Sequence, residues 1–256
     1  MKISSIMQKD VTTIDKDETV HNAISKMSKA SVSKLPVLNN GKLVGIVTYS
    51  DLLKVLGSSR QQAVPTHIHV SNAMQRDVKI ASEDHELSHA ASLMVTYGIS
   101  SLPVMRGDSI VGIVTKTDLV GTFTDKAAKV KSLMIHPVTI SPTDRIVHAR
   151  EIMFKKGISM LPVVDDGEVL GTINEGHIAE TLDVFRRKTE KHQAKRVAEI
   201  LVEDIMSREI PSTTQDTSVV DAIKAMKQKG TTSLLVMDKG KVVGVFSKTD
   251  ILPLLR

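Results

Sequence analysis

One eight-residue pattern, written four times, constrains this chain more than any other feature. It reads Gly112-Ile113-Val114-Thr115-Lys116-Thr117-Asp118-Leu119. Near-copies stand at Gly45-Ile46-Val47-Thr48-Tyr49-Ser50-Asp51-Leu52 and Gly244-Val245-Phe246-Ser247-Lys248-Thr249-Asp250-Ile251. A divergent copy stands at Gly171-Thr172-Ile173-Asn174-Glu175-Gly176-His177-Ile178. The aligned end positions, 51, 118, 177 and 250, lie about 60 to 75 residues apart, the self-similarity of a tandem array built from one supersecondary unit. Each intact copy reads as the end of an apolar strand, a turn carrying hydroxyls and, in two copies, a lysine, and the start of a helix.

The residues around each copy complete the unit. A short apolar strand, Val11-Thr12-Thr13-Ile14 in the first repeat, precedes an acidic or hydroxyl residue suited to cap a helix: Asp17, Asp84, Thr143 or Asp216. Val20, Ala23, Ile24 and Met27 then fall at i, i+3, i+4 and i+7, one apolar face of a helix. Leu87, Ala90, Ala91 and Met94 repeat that register, as do Val219, Ala222, Ile223 and Met226. In the third repeat Ile146, Ala149 and Met153 keep it, although Arg150 interrupts the stripe. These methionines read as core filler rather than as ligands. Next come two strands, Leu35–Leu38 and Leu43–Val47, joined through Asn39-Asn40-Gly41-Lys42, where Asn-Gly signals a tight hairpin. Equivalent turns hold Arg106-Gly107-Asp108, Asp166-Gly167-Glu168 and Lys239-Gly240-Lys241. Pro36, Pro103 and Pro162 lack an amide hydrogen and belong at a strand start or edge. The predicted order is β-α-β-β-α.

A unit of about 60 residues buries only about 60% of its unfolded surface and is marginal alone. Pairing successive units face to face would cover the apolar side of each sheet. Repeats at 1–57 and 72–123 are therefore expected to form one module, 1–124, with a seam at 124–131. Repeats at 132–182 and 204–256 are expected to form a second, 125–256, with 183–203 as a basic, helical linker inside it. An apolar content of 41% in 256 residues is ample for such cores.

Composition removes several function classes. The chain has no cysteine, which excludes disulfides and thiolate metal sites and suits a reduced, cytoplasmic setting. No apolar run approaches the roughly 20 residues of a membrane span. The start, Met1-Lys2-Ile3-Ser4-Ser5-Ile6-Met7, lacks the apolar core of a signal peptide and is expected to begin the first repeat. His67-Ile68-His69 places two imidazoles close together without a third ligand, so a surface strand or loop is the expected reading and no metal is expected. There is no phosphate-binding P-loop and no nucleophile elbow, and no catalytic constellation stands out. The chain reads as a non-enzyme.

The pattern resembles the cystathionine-β-synthase (CBS) domain family: a Met near the start of each unit, a Leu-Pro-Val strand, and Gly-x-x-(Ser/Thr)-x-x-Asp before the last helix. The resemblance spans nearly the whole chain. It implies an α/β fold (α+β repeats) of four β-α-β-β-α CBS repeats, paired into two Bateman modules that form a flattened disc. The layout is similar to that of archaeal four-repeat proteins and of the regulatory γ subunit of AMP-activated protein kinase. In that family, clefts between paired repeats hold adenosine compounds such as AMP, ADP, ATP or S-adenosylmethionine. Carried over residue by residue, Asp51, Asp118 and Asp250 would hold the ribose. Thr48, Thr115 and Ser247, with Lys116 and Lys248, would meet the phosphate. The adenine would rest on Val11, Thr12, Val32 and Ser33 at the Asp118 site, on Val138, Thr139, Ile158 and Ser159 at the Asp250 site, and on Val78, Lys79 and Ile99 at the Asp51 site. A carboxylate at a helix start suits a ribose diol because a diol supplies two donors, and each charge-assisted bond contributes about 1.5–3 kcal/mol. A phosphate beside it would sit over amides at the helix N-terminus.

The third repeat departs from the pattern: His177 replaces the aspartate, Asn174 the hydroxyl, and Glu175 stands where the others have Tyr or Lys. A carboxylate there repels phosphate, so this cleft is expected to be empty or differently used, unless His177 reaches a phosphate in the neighbouring cleft. A hydroxyl and an aspartate at a strand-to-helix turn are also ordinary caps, worth about 1 kcal/mol each with no ligand. Three copies in one scaffold, rather than any single one, carry the ligand reading. The alternative is an RNA- or ribosome-binding factor. Arg186, Arg187, Lys188, Lys191, Lys195 and Arg196 stand together against Glu190, a local excess equal to the formal +5 of the whole chain, and such a patch attracts phosphate backbones. A solvated helix face paired with nearby acids is the plainer reading. Aromatics at 2% leave little for base stacking. Further partners are an effector protein the sequence does not name and a possible homodimer, with no membrane.

Overall fold

Hairpins with tight turns form the fixed points of the fold. The computed structural model describes residues 1–57, 64–188 and 199–256. The first repeat runs β1 (Ile14–Asp15), α1 (Val20–Lys29), β2 (Lys34–Asn39), β3 (Lys42–Thr48), α2 (Tyr49–Leu56). The second runs β4 (Ala81–Ser82), α3 (Leu87–Thr96), β5 (Ser101–Arg106), β6 (Ser109–Thr115), α4 (Lys116–Val120). The third has α5 (Ile146–Lys156), β7 (Met160–Asp165), β8 (Glu168–Asn174) and α6 (Glu175–Lys188), its first strand reduced to a parallel bridge from Ile140 to Val163. The fourth runs β9 (Ser212–Thr213), α7 (Val219–Gln228), β10 (Ser233–Asp238), β11 (Lys241–Ser247), α8 (Lys248–Ile251). Asn40 and Gly41, at φ +50° and +78°, make the two-residue turn that the Asn-Gly pair predicts.

Two details differ from the sequence reading. The opening strand is shorter: in the first repeat only Ile14 and Asp15 pair, in parallel with Val37 and Leu38. That brevity explains Pro36, which sits third in β2 but beyond the reach of β1, so its missing amide interrupts no ladder. The helix caps also lie two residues later than expected. Thr19 and Ser218 accept from the amides of Asn22 and Asp221, whereas Asp17 belongs to the preceding turn, its own amide donating to Asp15. Glu86 and Arg145 occupy the cap positions of α3 and α5 with no side-chain cap.

The predicted apolar stripes face the cores: Val20, Ala23, Ile24 and Met27 on α1 are all buried, while Leu87 on α3 and Ile223 on α7 are half-buried. They do not close within a module alone. One core joins α1 and α2 of the first repeat to α5 and α6 of the third, and the other joins the second repeat to the fourth. Successive repeats are tied differently, by exchanged lead-in segments. Gln8 and Ile113 trade backbone hydrogen bonds of 2.9 Å in both directions. Gln75 with Ile46, Ile135 with Val245, and Ser207 with Thr172 do the same. The segment before each repeat therefore lies on the motif strand of its partner, as expected for repeats paired 1 with 2 and 3 with 4.

The motif glycine exists for this approach. A Cβ on Gly112 would fall 2.8 Å from Met7 Sδ and 2.9 Å from the Gln8 carbonyl oxygen, and Gly45 and Gly244 meet Met74 and Met134 likewise. The starting methionine of each of these repeats thus packs on its partner's glycine. At Gly171 the added Cβ would fall 2.1 Å from the Ser207 carbonyl, which is backbone and cannot swing aside. Gly171→Ala should destabilise the protein by about 1–3 kcal/mol. Thermal denaturation would report this as a lowered Tm, and an unchanged Tm would contradict the interlock.

Candidate functional site

Each intact motif folds its hydroxyl and aspartate onto one another. Thr48 Oγ1 donates to Asp51 Oδ2 at 2.7 Å, the Thr48 amide donates to the same oxygen at 3.1 Å, and the Asp51 amide donates back to Oγ1 at 3.2 Å. Asp118 repeats this with Thr115 at 2.7 and 2.8 Å, and Asp250 accepts from Ser247 Oγ at 2.8 Å and its amide at 2.7 Å. This is a reciprocal cap at the start of α2, α4 and α8. The hydroxyl proton that the family resemblance directs toward a phosphate is donated here to the aspartate. The next amide along, that of Tyr49, Lys116 or Lys248, donates to the carbonyl of Ser33, Ser100 or Thr232.

Two glutamines absent from the sequence reading reach these carboxylates from the partner repeat. Gln75 Nε2 donates to Asp51 Oδ1 at 2.8 Å, and Gln8 Nε2 lies 3.1 Å from Asp118 Oδ1. Both follow the lead-in methionine, a shared position that was the available signal. The same register brings the segment holding Val11 and Thr12 toward Asp118, and that holding Val78 and Lys79 toward Asp51. Val11, Val32, Val78, Lys79, Ile99, Val138 and Ile158 are half-buried, and Thr12, Ser33, Thr139 and Ser159 are exposed.

The lysines cross over between modules. Lys116 Nζ donates to Thr249 Oγ1 at 2.9 Å and Lys248 Nζ to Thr117 Oγ1 at 3.0 Å. Each lysine therefore lies beside the other motif's aspartate. Burial holds both ammonium groups below the ordinary lysine value, Asp250 opposing the shift at Lys116 and Asp118 opposing it at Lys248. Burial raises the Asp250 carboxyl, against the pull of Ser247 and Lys116. Lys34, just ahead of its Leu-Pro pair, donates to Ser100 Oγ in the second repeat. Burial pushes its ammonium down to about 8, helped by the neighbouring Lys116 charge and opposed by Glu175.

The third repeat keeps the turn and changes its chemistry. The His177 amide donates to Asn174 Oδ1 at 3.0 Å, so Asn174 caps α6 as the hydroxyls cap the other helices. Burial lowers the imidazole's affinity for a proton, and its Nδ1 is buried without a partner among the described residues. Burial also raises the Glu175 carboxyl, while Ser50, Lys54 and Lys34 pull it down. The basic segment is partly built into the fold. Arg187 Nε donates to Asp183 at 3.1 Å, Asp183 also holds His21 Nδ1 at 3.0 Å, and Arg186 is half-buried, burial and Arg150 lowering its pKa. Lys188 ends α6, and Lys191, Lys195 and Arg196 lie outside the described residues. His69 Nδ1 is 2.5 Å from the Asp17 carbonyl and His67 closes a 3-10 turn. Among the described residues no cluster of three or more His, Asp or Glu side chains is placed to hold a metal ion, and no helix is long and apolar enough to cross a membrane.

The CBS domain family matches this chain at residues 3–58, 70–125, 130–183 and 202–256. The chain belongs to the CBS-domain family. Among its relatives is protein MJ1225 of Methanocaldococcus jannaschii, 21% identical over 98% of this chain and 97% of that one. The crystal structure of MJ1225 superposes at a TM-score of 0.89 over the full length of both chains with 19% identity, a likeness of fold. A homoserine O-acetyltransferase of Methanosarcina acetivorans is 35% identical over 47% of this chain, but that match spans 22% of the enzyme. The four-repeat CBS architecture, two Bateman modules in one chain, is thus established by family and by fold together.

The buried Lys34 ammonium has a consequence for stability. Its folded value of about 8 lies below the ordinary 10.5, so between these the unfolded chain holds a proton that the folded chain lacks. Stability therefore rises with pH across that window, and this group's cost is fully present below it. Lys34→Met should raise stability at pH 7 and flatten the rise. Urea unfolding at pH 7 and pH 9.5 measures both, and a mutant that keeps the wild-type slope would contradict the assignment.

Proposed function

We propose that this is a non-catalytic regulatory protein that binds adenine nucleotides in the clefts between paired repeats. One observation carries the reading: three capped aspartates face lead-in segments from their partner repeats, while Lys116, Lys248 and Lys34 each reach across to a hydroxyl of a different repeat. Asp51, Asp118 and Asp250 take the ribose, and the half-buried apolar residues of the lead-in and pre-Leu-Pro segments form the wall for the adenine.

The lysines narrow the ligand class. Burial holds three ammonium groups below their ordinary values, and an anion brought beside any of them would be stabilised by it. A phosphate meets that description. The cationic sulfonium of S-adenosylmethionine does not, so AMP, ADP or ATP fits better. The phosphate contacts are then the lysines and the hydroxyls of Thr117 and Thr249 rather than the capping Thr48, Thr115 and Ser247. A ligand held between two repeats changes their relative stability in different arrangements, by no more than its difference in affinity for them, and an effector protein would read that difference.

Asp118→Ala should weaken the AMP-binding event of that cleft by about ten- to a hundredfold, as expected for losing a charge-assisted bond. Isothermal titration calorimetry measures it, and unchanged affinity would remove the ribose role. Lys248→Ala should shrink the advantage of AMP over adenosine, and an undiminished ratio would place the phosphate elsewhere.

A further inference from the structure

The three aspartates are chemically equivalent in sequence but differ in how many hydrogen bonds they can still accept. A carboxylate offers about four acceptor positions on its two oxygens. In each motif Oδ2 takes two donors from its own cap. The difference lies in Oδ1. At Asp51 it holds Gln75 Nε2 at 2.8 Å and Lys54 Nζ at 3.3 Å. At Asp118 it holds Gln8 Nε2 at 3.1 Å, which also lies 3.4 Å from Oδ2. At Asp250 it accepts nothing from the described residues, because the position that carries glutamine in the first two repeats carries Ile135 in the third. Ile135 takes the same backbone register against Val245 that Gln8 takes against Ile113, so the substitution changes the side chain and not the path of the chain.

A vicinal diol donates two hydrogen bonds. Asp250 can receive both as it stands. Asp118 can receive one and must release Gln8 for the second. Asp51 must release Gln75 and Lys54. We infer that Gln8 and Gln75 are specificity-determining residues that compete with a diol for the cleft carboxylates, so that the clefts fill in the order Asp250, Asp118, Asp51. The inference rests on the ribose reading given above and adds the order of occupancy and the residues that set it. Gln8, Gln75 and Ile135 are all exposed, so exchanging them leaves both cores intact.

The test titrates the full chain with AMP and with adenosine, using calorimetry for affinities and native mass spectrometry for the number bound. The tightest event should disappear in Asp250→Ala and persist in Asp51→Ala and Asp118→Ala. Gln8→Leu should tighten the next event about tenfold, the worth of one competing charge-assisted bond, and Ile135→Gln should weaken the first by a similar factor. Neither change should alter binding of 2′,3′-dideoxyadenosine. A Gln8→Leu protein that binds adenosine more weakly, or a tightest event that survives Asp250→Ala while another aspartate controls it, would overturn the grading and leave the ribose role standing. Adenosine affinities indifferent to all three aspartates would overturn the ribose role and the grading with it.

Discussion

The exchange of lead-in segments is the interaction on which everything else in this molecule depends. Two backbone hydrogen bonds, one in each direction, made over a glycine with no room for a side chain, lay the beginning of one repeat along the motif strand of its partner. The contact is short because it is backbone against backbone, and methionine fills the remaining space. Its result is that each aspartate at a helix start faces residues distant in sequence. Gln8 reaches Asp118 across 110 residues. A cleft of that kind cannot exist in one repeat, which gives the tandem array a reason beyond the marginal stability of a 60-residue unit.

The second level of organisation is electrostatic, and it divides the four repeats into unlike pairs. Between the second and fourth, Lys116 and Lys248 each donate to a threonine of the opposite motif. Between the first and third, the same positions carry Tyr49 and Glu175, and the Tyr49 hydroxyl lies 3.4 Å from Glu180. Burying an ammonium group is unfavourable unless an anion joins it. Tyr49 and Glu175 in place of lysines leave that side of the molecule less cationic. The crossed lysines of the motif therefore belong to one pair of repeats, and this asymmetry follows from two substitutions at equivalent positions in an otherwise repeated motif.

Much of the fold was legible in the sequence because its signals are local and are repeated. The apolar stripe of α1, the Asn40-Gly41 turn and the strand-to-helix motif each follow from spacing within a dozen residues. What spacing could not show was which surfaces meet. The helices of the first repeat share a core with those of the third, and no periodicity along the chain marks that partnership. The cap of α1 lies two residues beyond Asp17 because the Asp15 side chain accepts from the Asp17 amide and holds Asp17 in the preceding turn, a competition that short polar side chains often win. In the site, Asp51, Asp118 and Asp250 stood out as a motif, whereas Gln8, Gln75 and Lys34 did not. Their significance comes from a carboxylate or an ammonium brought up by another repeat.

A structure determined with AMP bound tests the central claim most directly. The account predicts the ribose 2′ and 3′ hydroxyls within hydrogen-bonding distance of Asp250 Oδ1, with the phosphate near Lys116. A nucleotide lying elsewhere on the surface, or seated in that cleft with its ribose turned away from Asp250, would contradict it.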